Sequence, residues 1–88
     1  MSHETQNWRD YRERRKAFGR RLRTAREVAG LSSYEAAEKL SEAGLECTAE
    51  GLLDAEAGNG TPPCEPNASD LPTLAAVYDC SIDDFFTG

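Results

Sequence analysis

The sequence predicts an all-α fold of five helices in one small domain. Three observations carry this. Apolar residues at Trp8, Tyr11, Phe18, Leu22, Ala25 and Ala29 recur at helical spacing. Glycines 30, 44 and 58 each close a stretch of helical composition, and Ser32 and Thr48 offer side-chain oxygens to open the next. The chain has 88 residues, enough for one hydrophobic core and too few for two.

The first helix is expected over about residues 6–29, with residues 1–16 as an N-terminal extension and 17–88 as the domain proper. Along it Arg9, Arg12, Lys16, Arg20 and Arg23 gather into one stripe beside the apolar face. Such a stripe is either a solvated face or a surface for phosphates. Ser32 and Glu35 have the spacing of a capping box, opening a second helix from about Ser33 to Ala43. Its inner face is Ala36, Ala37 and Leu40, and its outer face Glu35, Glu38, Lys39 and Glu42. Thr48 caps a third helix, about Ala49–Ala57, which buries Leu52 and Ala55, with Leu53 as a further core candidate. Gly51 inside it costs roughly 1 kcal/mol relative to alanine. Residues 58–70 hold three of the four prolines and form a loop. Asp70 or Ser69 caps a fourth helix with Pro72 in its first turn, and Leu71, Leu74, Ala75 and Tyr78 face inward. Ser81 opens a short fifth helix ending at Phe85-Phe86.

Charge divides the chain. Ten Lys and Arg stand against sixteen Asp and Glu, a net of −6. Residues 1–26 carry nine of the bases and three acids; residues 27–88 carry Lys39 alone and thirteen acids. The total speaks against nucleic acid, but the basic helix does not. No apolar run reaches the ~20 residues of a membrane span, and no secretory signal is visible at the N-terminus, so a cytoplasmic location is expected. In that setting Asn67-Ala68-Ser69 is not a glycosylation acceptor. Cys47, Cys64 and Cys80 are odd in number and widely spaced, so no disulfide framework is expected. With His3 they lack the close pairing of a metal site. No catalytic cluster or phosphate loop stands out; no cofactor, enzyme activity or small-molecule substrate is expected.

The run Phe18-Gly19-Arg20-Arg21-Leu22-Arg23, Arg26, Gly30-Leu31-Ser32, Ala36-Ala37, Leu40, Leu52, Glu56 and Gly58 resembles the Cro/repressor-type (lambda-repressor-like) helix-turn-helix domain of bacteria and phages. Leu74-Ala75, Tyr78 and Cys80-Ser81-Ile82-Asp83-Asp84-Phe85 are similar to its last two helices. The resemblance covers about residues 17–87. Residues 40–49 are about five longer than the shortest family turn and are similar to an actinobacterial variant with a lengthened second helix. A bacterial cell or a phage-infected host is implied.

The resemblance implies a buried ion pair between Arg26 and Glu56, locking the third helix to the first; the alternative is two unrelated surface charges. It also sets Cys47 and Cys80 where the family carries aliphatic side chains, as small core residues. In the family the third helix enters the major groove. Carried over, Ala49, Glu50 and Asp54 would face bases, and Thr48 and Ser33 phosphates or flanking bases. Acids there could accept from cytosine N4 but repel the backbone. Three readings stand. The chain is a small regulator of transcription that binds duplex DNA, helped by the arginines of the first helix. Or the fold serves protein binding, its acidic face engaging a basic partner as a DNA mimic or anti-repressor. Or Trp8 and Tyr11 mediate assembly, a homodimer being compatible with either; the same two residues could instead fold back into the core.

Overall fold

The computed structural model describes residues 2–86, with side chains from Trp8 onward. His3, weighed above as a metal ligand, lies outside the described side chains. The architecture is all-helical: α1 (Ser2–Val28), α2 (Ser33–Glu42), α3 (Ala49–Glu56) and α4 (Leu71–Tyr78), with single 3-10 turns at Ala68–Asp70 and Ile82–Phe85. Among the described residues the only β pairing is an isolated bridge between Thr61 and Cys64.

The expected fifth helix is therefore one 3-10 turn. A capping box closes on itself there: Ser81 Oγ accepts from Asp83 N at 3.1 Å and Asp84 Oδ2 from Ser81 N at 3.0 Å. Four residues are too few to propagate an α-helix. A similar device precedes α4. Asp70 occupies the cap position without a side-chain bond; its carboxylate instead accepts from Asn67 N at 3.0 Å, while Asn67 Oδ1 accepts from Ser69 N. The cap thus belongs to Asn67, one turn earlier than expected.

α2 opens on the expected capping box, Glu35 N donating to Ser32 Oγ at 3.1 Å and Ser32 N to Glu35 Oε1 at 2.9 Å. That backbone donor and the Ser32 hydroxyl hold the Glu35 carboxyl below its ordinary range. α2 ends at Glu42, one residue before the expected Ala43, and residues 43–48 form the turn to α3. Gly30, Gly44 and Gly58 all take positive φ after the helices they end.

The core draws one large, fully buried side chain from each α-helix and from the last turn: Leu22 from α1, Leu40 from α2, Leu52 from α3, Leu74 from α4 and Phe85 from Ile82–Phe85. Each such burial contributes roughly 1.5–3 kcal/mol. α1 crosses α3 at Gly19, where a Cβ would stand 2.7 Å from the Ala55 carbonyl oxygen and closer still to that of Glu56. Only glycine permits that approach. Leu53, a core candidate from sequence, is 47% exposed on the outer side of α3.

The cysteines depart from expectation. Cys47 and Cys64 form a disulfide, with Cα atoms 4.7 Å apart across a sequence separation of 17. Wide spacing in sequence misleads here because α3 and its following loop reverse the chain and return Cys64 to the turn that holds Cys47. Cys64 packs against Gly51, whose Cβ would lie 3.0 Å from the Cys64 Cβ. The glycine that weakens α3 thus makes room for the cross-link. Bonds of this kind persist in oxidising surroundings, so the cysteines lend no support to the expected cytoplasmic location. Cys80 is free and half-buried; burial and then Asp84 and Asp79 push its thiol up.

No helix among the described residues is long and apolar enough to cross a membrane. No group of three or more His, Cys, Asp or Glu among them could hold a metal ion.

Candidate nucleic-acid interface

The residues singled out from sequence fall on two surfaces and one internal joint. The joint is the Arg26–Glu56 pair. Arg26 Nε donates to Glu56 Oε2 at 2.7 Å and its Nη2 to Glu56 Oε1 at 3.0 Å, a bidentate geometry. Arg26 Nη1 also donates to the Leu31 carbonyl at 3.0 Å. One guanidinium therefore ties together α1, the turn into α2 and the end of α3. Both side chains are nearly buried, at 10% and 3% exposure. The hydrogen bond to Glu56 outweighs desolvation and raises the pKa of Arg26. Tyr78 lies buried close enough to feel both charges; burial first, and then Glu56, push its phenol well above the ordinary range. Its hydroxyl has no hydrogen-bond partner among the described residues.

The first surface is the outer side of α3. Thr48 caps the helix, its Oγ1 accepting from Gly51 N at 3.0 Å. That oxygen is engaged internally. Ala49 is half-buried; Glu50, Leu53 and Asp54 are exposed. Ser33, half-buried, begins α2 next to the Ser32 cap. The outer side of α3 is thus acidic and slightly apolar, and no ion pair joins Glu50 or Asp54 to another described residue.

The second surface is the α1 stripe. Arg9, Arg12, Lys16, Arg20 and Arg23 are all exposed. Arg23 pairs with Glu27 at 3.3 Å, an open i,i+4 contact worth little. The other four make no ion pair among the described residues. The stripe borders the C-terminal end of α3: a Cβ on Gly58 would meet Lys16 Cγ at 2.9 Å. Trp8 and Tyr11 stand away from the core, 59% and 44% exposed, with ring centroids 5.9 Å apart in a stacked arrangement.

Arg15 was missed from sequence. Its Nη2 donates to the Gly60 carbonyl at 2.6 Å and lies 3.6 Å from Glu65, while its guanidinium sits 5.6 Å from the Tyr11 ring centroid. It fastens the proline-rich loop to α1. At 100° per residue Arg15 falls between Leu22 and Trp8, inside the arc of Trp8, Tyr11, Phe18 and Leu22 rather than on the basic stripe. A cation within an apolar arc was the available signal.

No family model, curated protein or solved structure matches this chain.

Proposed function

We propose that this chain is a small helix-turn-helix DNA-binding protein that regulates transcription. The carrying observation is the Arg26–Glu56 joint. It fixes α3 against α1 by its C-terminal end, leaving Glu50 and Asp54 exposed on the outer side, with Ala49 half-buried at its start. A rigidly held helix with a bare face, next to another helix across a short turn, is what reading a major groove requires. Affinity would come from Arg9, Arg12, Lys16, Arg20 and Arg23 on phosphates, and selectivity from few base contacts, with Glu50 or Asp54 accepting from cytosine.

The test is selection from a random duplex library at low salt. Binding should weaken with salt at a log–log slope of about −0.9 per phosphate contact, and Arg20→Ala with Arg23→Ala should lower that slope. No retained duplex at low salt would refute the proposal.

A specific observation favours a second reading. Exposed Leu53 lies beside Glu50 and Asp54, two carboxylates that make no ion pair with another described residue. An acidic surface with an apolar flank suits a basic protein better than a phosphate backbone. Under that reading Glu50→Lys with Asp54→Lys abolishes co-purification with a basic partner; gain of DNA binding by the same variant would point to a fold diverted by charge alone.

A further inference from the structure

We propose that the groove between α1 and the C-terminal turn is a docking site for an acidic amphipathic helix of a partner protein. The groove has a volume of about 660 Å³. Phe18 and Leu71 are part of its apolar lining, Phe86 and Tyr11 are on its open side, and Arg14 and Arg21 line it along α1. Phe86 is 59% exposed and Tyr11 44% exposed, and Trp8 extends the aromatic wall past Tyr11. Large aromatic surface left open beside a concave apolar floor marks a protein-interaction site.

Charge identifies the occupant. The chain has sixteen acids to ten bases, yet three arginines and no carboxylate line this groove. Arg15 is already engaged by Gly60 and Glu65, whereas Arg14 and Arg21 make no ion pair among the described residues. Seven residues apart, they sit on almost one line of α1, about 10 Å from each other. A partner helix lying along α1 repeats the same spacing with acids at i and i+7, and its apolar i+3 and i+4 positions meet the floor. Arg14 and Arg21 also lie on the far side of α1 from the stripe of Arg9, Arg12, Lys16, Arg20 and Arg23, about 150° around the helix. The groove therefore stays open whether or not the stripe holds DNA, and the inference does not rest on the DNA reading.

Trp8 is the chain's single tryptophan and stacks on Tyr11, which lines the groove, so its emission reports on an occupant through that contact. The probe is a synthetic helical peptide without Trp or Tyr, with Leu on one face and Glu at i and i+7 beside it, titrated into the full chain. Expected are a blue shift of Trp8 emission and saturable binding, weakened at least about tenfold by Arg14→Glu with Arg21→Glu. Phe86→Ala should weaken it as well. Arg12→Glu, on the opposite side, should leave it within about twofold, because the same charge is changed outside the groove. Three results would overturn the proposal: no Trp8 response up to about 1 mM peptide; equal binding of a scrambled peptide of the same composition; or equal weakening by Arg12→Glu. Sedimentation of the peptide-free chain supplies a further check. A dimer that shields Trp8 and dissociates on Phe86→Ala would make a second copy the occupant and so refute a foreign helix.

Discussion

The two halves of α1 share one helix and one periodicity but not one fate. From Trp8 to Lys16 every described side chain is exposed except Arg15, which is half-buried. From Ala17 to Arg26 the same helix buries Gly19, Leu22 and Arg26 and half-buries Ala17, Phe18, Arg21 and Ala25. The helix, at 27 residues, spans about 40 Å, close to the 44 Å long axis of the whole molecule, whereas α2, α3 and α4 are 10, 8 and 8 residues long. The C-terminal half meets those partners; the N-terminal half outruns them. An apolar repeat therefore marks a face that can be covered, and the lengths of the neighbouring elements decide whether it is.

The sharpest way to break this contrast is to remove the joint that fixes the buried half. Arg26→Ala leaves Glu56 charged and enclosed, and urea unfolding should show a loss of about 3–5 kcal/mol. A loss under about 1 kcal/mol would rank the pair with exposed ones. Next in size is the cross-link. Cys47→Ser with Cys64→Ser frees a closed loop that contains all of α3, and stability should fall by roughly 3 kcal/mol. Hydrogen exchange should localise that loss to α3 and the following loop. Equal protection with and without the cross-link would show that packing alone holds α3.

A pH effect sharpens the same contrast. In the unfolded chain Tyr78 ionises near its ordinary value of 10.0, while in the fold burial keeps the phenol protonated well beyond that. Above pH 10 the unfolded state therefore binds fewer protons than the folded one. The stabilisation, present in full at lower pH, drains away as pH rises, by about 1.4 kcal/mol per pH unit for this one group. Denaturant unfolding between pH 9 and 11 of the chain and of Tyr78→Phe should diverge in that direction, the phenylalanine variant losing less. Parallel curves would mean the phenol reaches water in the folded state.

Much of the fold was legible because its signals are local. The Ser32–Glu35 capping box, the glycine stops and the Ala36, Ala37 and Leu40 face need only a few residues of context, and the structure has each of them. What was illegible depends on return of the chain. Cys64 reaches Cys47 only because α3 reverses and Gly51 leaves space, and no spacing rule carries that. The short terminal turn misled differently: Ser81 and Asp84 announce a helix start but not its length. Of the candidate interface, the exposed stripe and the acidic side of α3 follow from helical angles. The groove does not, because Phe86 and Leu71 join Tyr11 only through tertiary packing.

The smallest expected effect tests the bare half directly. Trp8 and Tyr11 stack on each other, and Tyr11 also lies under the Arg15 guanidinium, but both rings keep about half their surface in water. Burial that incomplete contributes little, and alanine is the better helix former at both positions. Trp8→Ala with Tyr11→Ala should therefore shift folding stability by no more than about 0.5 kcal/mol, as for other exposed substitutions. Phe18→Ala, at the start of the covered half, half-buried and packed on Phe85 with centroids 6.1 Å apart, should cost roughly 2–3 kcal/mol, short of a fully buried phenylalanine. If the double variant instead lost 2 kcal/mol or more, about the cost of truncating a core side chain, the aromatic pair would be folding back onto the body. The extension would then be part of the core rather than a surface for a partner.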